Sequence, residues 1–234
     1  MTHPVVLAVR TALAAAGDPG RAAAQQAYMN SAMPYRGVTS PELRALLRPL
    51  LADPDLRVTR RSEWEAAVLD LWDGARWREE RYAATALAGH RAYRAWQDVG
   101  TLALYRHLVV TGAWWDHVDE VASRRVGPIL LADPAGARPV VLRWATDEDL
   151  WLRRTAVLSQ LTFRERTDTD LLRSCIEPNL ADPSFWLRKA IGWALRQYAR
   201  TDPEWVRSAV LEYGDRLSPL SRREALRHLG AAAP

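Results

Sequence analysis

Four residues of this chain have the types and spacing to act together: Trp115 and Asp119 in "GAWWDHVDEVASRRVG", Arg154 in "DLWLRRTAVLSQL" and Trp193 in "SFWLRKAIGWALRQYAR". Tryptophan is costly to expose and aspartate is a poor helix former, so a helical turn that carries both needs a reason. Arg154 projects between Leu150, Trp151, Leu158 and Leu161. A guanidinium inside an apolar stripe needs a carboxylate or a phosphate as partner. If the four converge, the site holds one carboxylate, aromatic faces and cations, with no thiol nucleophile and no obvious second acid. Ordinary glycoside hydrolysis needs an acid for the leaving group as well as a base or nucleophile. One carboxylate suffices when the leaving group is already cationic. An N3- or N7-alkylated purine nucleotide is such a substrate, because its base departs neutral and leaves an oxocarbenium-like sugar that a carboxylate and π-faces stabilise. The purely structural alternative for Asp119 with Arg154 is a buried ion pair tying neighbouring helices together.

The elements that must position these groups read as helices throughout. Cap patterns recur at Ser40 before Pro41-Glu42, Ser62 with Glu65, Thr146 with Asp149, Asp182 before Pro183, Asp202 before Pro203, and Ser221 with Glu224. Apolar residues between them fall three and four apart, as in Leu43, Leu46, Leu47 and Leu50, and no segment alternates with period two. Asp73-Gly74 joins two helical patterns. The cap signals mark about twelve or thirteen elements, too many for a simple bundle. The expectation is a single all-α domain over residues 1–234, a superhelical solenoid of degenerate repeats of roughly 40 residues with a concave groove.

On the helix "SFWLRKAIGWALRQYAR", Leu187, Ala190, Ile191, Ala194, Leu195 and Tyr198 share the core side. Trp186, Lys189, Trp193 and Arg196 share the opposite side, a face suited to an anion and a flat, electron-poor group. On the opening stretch, read as one helix, Trp114, Val118, Val121 and Ala122 face the core, Trp115 and Asp119 sit on its shoulder, and Asp116 and Glu120 face solvent. His117 points away and no CxxC or HExxH spacing occurs, so neither a metal nor another cofactor is expected. Arg153 is expected on the surface. Phosphates would be held by Arg154, Lys189 and Arg196, with Arg44 and Arg188 as further candidates.

Composition narrows the remaining classes. The 234 residues are 48% hydrophobic and 26% charged, enough for a core and its surface and unlike a disordered chain. The net charge of +4 favours an anionic partner only weakly, and Lys189 is the only lysine among 32 basic residues. The lone Cys175, among Leu171, Leu172 and Ile176, fits a core position in a reducing compartment. No apolar run approaches the ~20 residues that span a bilayer. The start, "MTHPVVLAVRTALAAAGDPG", carries Arg10 within its apolar part and reads as a first helix from Pro4 to Gly17. A cytoplasmic protein is expected.

In its ordered motifs the chain resembles the bacterial DNA alkylation repair glycosylases of the AlkD family, which are built from HEAT-like repeats. The motifs run from "YMNSAMPYRGVTSPELR" through "LWDGARWREERYAA", "WWDHVD" and "WLRRTAVLSQLTFRERTDTDLL" to "FWLRKAIGWALRQYARTDPEWV" and "LSPLSRREALRHL". The resemblance implies that Asp119 is the catalytic aspartate, Trp115 and Trp193 the aromatics beside the damaged nucleotide's sugar, and Arg154 the adjacent arginine. It implies release of N3- and N7-alkylated purines from double-stranded DNA in base excision repair, by a monomer that does not extrude the damaged base. Thr162, where relatives often carry lysine, and Ala32-Met33, where they can carry polar residues, depart from the pattern. The competing reading is a non-catalytic helical-repeat protein that binds DNA structures or a protein partner; the joint presence of Trp115, Asp119, Arg154 and Trp193 favours the enzyme.

Overall fold

The computed structural model describes residues 2–229, and among them there are fourteen α-helices, several 3-10 turns and no strand. The chain divides into two compact units, Met1–Trp96 and Gln97–Pro234. The first contains α1 (Pro4–Ala15), α2 (Pro19–Met29), α3 (Ser40–Ala52), α4 (Arg61–Asp73) and α5 (Arg78–Ala88). Val6, Val9, Leu13, Trp64, Leu71 and Trp72 close its core with essentially no exposure. Each such aliphatic side chain contributes about 1.5–3 kcal/mol relative to an exposed one. Buried Glu79 on α5 accepts from the backbone N–H groups of Arg36, Gly37 and Val38, so a carboxylate satisfies donors that no helix reaches.

The second unit contains α6 (Leu102–Gly112), α7 (Trp115–Val121), α8 (Gly127–Ala132), α9 (Pro134–Ala145), α10 (Leu150–Leu158), α11 (Thr169–Ile176), α12 (Phe185–Tyr198), α13 (Pro203–Tyr213) and α14 (Pro219–Leu226). Val118, Val121, Leu152, Leu158, Leu187 and Leu195 are fully enclosed at its centre. Cys175 is buried there too, and burial pushes its thiol up to about 12, so it behaves as a small apolar residue.

The first helix starts at Pro4 as expected, and Asp202 caps α13 through the Trp205 N–H. Gly74 follows the end of α4 in the link between α4 and α5. Other boundaries differ by a residue or more. Thr39 rather than Ser40 caps α3, because its hydroxyl and Glu42 complete the reciprocal box. Asp149, not Thr146, caps α10, accepting from the N–H groups of Trp151 and Leu152. Ser218 caps α14, which leaves Glu224 in the interior of that helix. Ser62 lies one residue inside α4, which has no side-chain cap, and Asp182 braces the Ser184 N–H ahead of α12. Among the described residues, no helix is long and apolar enough to cross a membrane.

Candidate active site

The stretch from Gly112 to Gly127, expected as one helix, is broken twice. Ala113 ends α6 in the left-handed region at φ 42° and Trp114 is extended, so α7 begins afresh at Trp115. The break is held by aromatic packing. The Trp114 ring lies 5.2 Å from that of Trp186 and 6.2 Å from that of Trp151, and these two rings are 5.8 Å apart. Trp114 is therefore half-buried within an aromatic cluster rather than sealed in the core. Beyond Val121 the helix widens into a π-turn over Ala122–Val126, and the Ser123 hydroxyl donates to the Asp119 carbonyl. Such single π-turns are frequent at functional sites.

Asp119 stands one turn after Trp115 on the same side of α7, and both are half-buried. Its carboxylate is taken by Arg154 of α10 in a fork: Nε donates to Oδ1 and Nη2 to Oδ2, both at 2.7 Å. The third direction of the guanidinium, Nη1, donates to the Trp186 carbonyl at the start of α12. Arg154 has 4% of its side chain exposed and Asp119 14%, so Arg154 is buried in the apolar stripe while the carboxylate keeps an opening. Burial pushes the Asp119 carboxyl above the ordinary aspartate range, and Asp116 adds to the rise; the bonds and charge of Arg154 oppose it. Two carboxylate oxygens offer about four lone-pair directions, so the fork leaves others for water or a cation.

The backbone keeps α10 in place. A Cβ on Gly127 would lie 2.6 Å from the Ser159 carbonyl just beyond α10, so only a glycine admits this approach. On α12 the expected core residues Leu187, Ala190, Ile191, Ala194 and Leu195 are buried, but Tyr198 is only half-buried. Trp186, Lys189, Trp193 and Arg196 are each half-buried on the other side. Trp193 lies seven residues, about two turns, beyond the Trp186 carbonyl that Arg154 grips.

The expected phosphate-binding cations have varied surroundings. Lys189 and Arg196 both meet Glu224 of α14, at 2.7 Å from Lys189 Nζ and in a close contact from Arg196 Nη1. Arg188 donates to the Asp182 carbonyl at 3.0 Å, and Arg44 is exposed on α3 in the first unit. Arg153 is not free surface: it is half-buried and bridges to Asp182. His117 is buried, and Asp116 and Glu120 are half-buried rather than open to solvent. Thr162 is exposed and lines a cleft of about 510 Å³ with Gln160, Arg164, Gln197 and Arg200.

Glu224 is the residue that sequence reasoning missed, since Ser221-x-x-Glu224 imitates a capping box. The signal that could have found it is the pair of cations at 189 and 196, seven residues apart on one face and needing a counter-charge.

Fold and site together define an all-α protein with a forked aspartate–arginine pair tied to Trp186, and a second carboxylate that braces two cations further along the same helix. The chain belongs to the DNA alkylation repair enzyme family, whose pattern matches residues 9–229. It is therefore an enzyme of DNA alkylation repair. Among solved structures it is similar to a "Predicted DNA alkylation repair enzyme from Enterococcus faecalis", with 30% identity and a TM-score of 0.79 over 92% of this chain and 98% of that one. No curated protein sequence matches it.

Proposed function

We propose that this enzyme is a monofunctional DNA glycosylase that hydrolyses the N-glycosidic bond of N3- and N7-alkylated purines in duplex DNA and leaves an abasic site. The observation that carries the reading is the forked Asp119–Arg154 pair, an orientation-locked carboxylate with free lone pairs and a side open to solvent. Alkylation places a positive charge on the purine ring. As the C1′–N9 bond breaks, its electron pair returns to the base, which leaves neutral and needs no proton. Positive charge then develops on the deoxyribose, where the Asp119 carboxylate and the faces of Trp115 and Trp193 stabilise it. Water adds to C1′, gives up a proton to bulk water, and leaves a hydroxyl there. Arg154 keeps the carboxylate aimed, and the step uses no cofactor.

In this reading the HEAT-like helical pairs of residues 1–234 serve one activity as a monomeric domain. Lys189 and Arg196, with Trp186 and Arg188, meet the DNA from the second unit, and Arg44 is a further phosphate candidate on the first. Arg154, buried and spent on Asp119 and the Trp186 carbonyl, holds the carboxylate and not a phosphate. The family match over residues 9–229 supports the single activity.

The test is Asp119→Asn, which keeps the size but removes the charge and turns one of the two oxygens gripped by Arg154 into a donor. Release of 7-methylguanine from duplex DNA should slow by about 10²–10³-fold, or roughly 3–4 kcal/mol, as when other electrostatic transition-state groups are lost. Duplex binding should persist. Release at the wild-type rate would end the role assigned to Asp119.

A further inference from the structure

The contact between α12 and α14 is backbone-close. A Cβ on Gly192 would sit 2.6 Å from Glu224 Cβ and 3.0 Å from the Ser221 carbonyl. Ser218 and Ser221 share a hydroxyl hydrogen bond of 2.8 Å, and Ser221 Oγ donates to the Arg188 carbonyl at 2.7 Å. Ser218, Ser221 and Glu224 recur every third residue, so one stripe of α14 lies along α12 and delivers the Glu224 carboxylate to a fixed place.

There Oε1 accepts from Lys189 Nζ at 2.7 Å and Oε2 accepts from Arg196 Nη1. Lys189 precedes Trp193 by four residues and Arg196 follows it by three, so the two cations flank that ring on the helix face. Left alone, two neighbouring cations would repel and swing apart into solvent. The carboxylate between them holds both. It takes one donor from an ammonium that has three and one from a guanidinium that has five. Both cations keep exposed surface, 38% of the Lys189 side chain and 18% of Arg196. The three bonded groups leave a single positive charge and exposed Arg227, one turn beyond Glu224, adds to it, so the seat stays attractive to a phosphodiester.

We propose that Glu224 is a positioning residue that pre-assembles Lys189 and Arg196 into a two-cation seat for one DNA backbone phosphate beside Trp193. The proposal rests on the reading of the protein as a DNA-acting glycosylase. Glu224 acts through the two cations and touches neither the lesion nor the reacting atoms.

The experiment uses the full chain and single-turnover base release from a 7-methylguanine duplex, with binding to undamaged duplex measured alongside. Glu224→Gln should raise the half-saturating protein concentration about fivefold while the maximal rate stays within about twofold, because a ground-state phosphate contact is lost. Glu224→Asp, which keeps the charge on a shorter arm, should recover part of that loss. In a Lys189→Met/Arg196→Met background, Glu224→Gln should add nothing. An unchanged or lower half-saturating concentration would overturn the proposal, the latter by showing that the acid competes with phosphate. A loss that persists in the double-methionine background would also overturn it, by showing packing alone.

If Glu224→Gln does not fold, Lys189→Met and Arg196→Met carry the test. Each alone should weaken binding about as much as both together, since one seat needs both cations; additive losses would refute it. Absence of base release from every duplex would sink the glycosylase reading, while affinity for undamaged duplex across the same variants would still decide the seat.

Discussion

Asp119 and Glu224 are both clamped by arginine in the second unit, yet their surroundings push them in opposite directions. Asp119 has one cation, and burial lifts its carboxyl above the ordinary range despite the fork from Arg154. Glu224 has two, and the Lys189 hydrogen bond, reinforced by the charges of Arg196, Lys189 and Arg227, holds its carboxyl below the ordinary range against desolvation. A carboxylate between two cations is spent on holding them. One that balances a single buried arginine while remaining costly to ionise keeps negative potential available for a cation that forms beside it. The same pair of residue types therefore serves as a brace in one place and as a candidate catalyst in the other.

The largest effect that separates the two regions is on stability. Arg154→Ala strands the Asp119 charge, and should cost about 3–5 kcal/mol in urea unfolding. Lys189→Ala, at a half-exposed ammonium, should cost less than about 1 kcal/mol. Equal losses would break the comparison.

Gly192→Ala attacks the brace through the backbone. Its new methyl would meet Glu224 Cβ at 2.6 Å and the Ser221 carbonyl at 3.0 Å, with α12 and α14 forced to part. The expected loss is about 1–3 kcal/mol in the same assay, typical of overpacking. No loss would mean that the two helices are not pinned at this point.

The smallest effect is in pH dependence. Base release needs the ionised Asp119, whose raised pKa means protonation above the 3.8 of an ordinary aspartate as pH falls. The rate should therefore drop on an acid limb that lies above 3.8. Glu224 behaves oppositely: its contribution to stability is fully present above the ordinary 4.5 and is lost only as pH falls through its depressed value. Single-turnover rates and thermal melts across pH 3–7 would check both, with activity failing before the brace weakens. An acid limb of the rate below 3.8 would reverse the assignment of Asp119.

Much of this was legible along the chain because it is local. Arg154 in an apolar stripe demanded an acid, and Asp119 answers it. The spacing on α12 separated its buried side from the face with Trp186, Lys189, Trp193 and Arg196. What was not legible depends on distant packing. The break at Ala113–Trp114 is fixed by Trp151 and Trp186, and no pattern of three and four anticipates those partners. Glu224 was hidden because a serine three residues before an acid looks the same in an interior turn as at a cap. The correct start of α14, at Pro219 after Ser218, decides between them.

The most direct test of the central claim, a single carboxylate acting on a leaving group that brings its own charge, is a panel of lesion-containing duplexes. Wild-type protein should release 7-methylguanine and 3-methyladenine, which leave as neutral bases, and should leave uracil and hypoxanthine in place, since these need a proton to depart. Free base would be quantified under single-turnover conditions for all four. Release confined to the two cationic bases is the result this account predicts; efficient excision of uracil or hypoxanthine would contradict it.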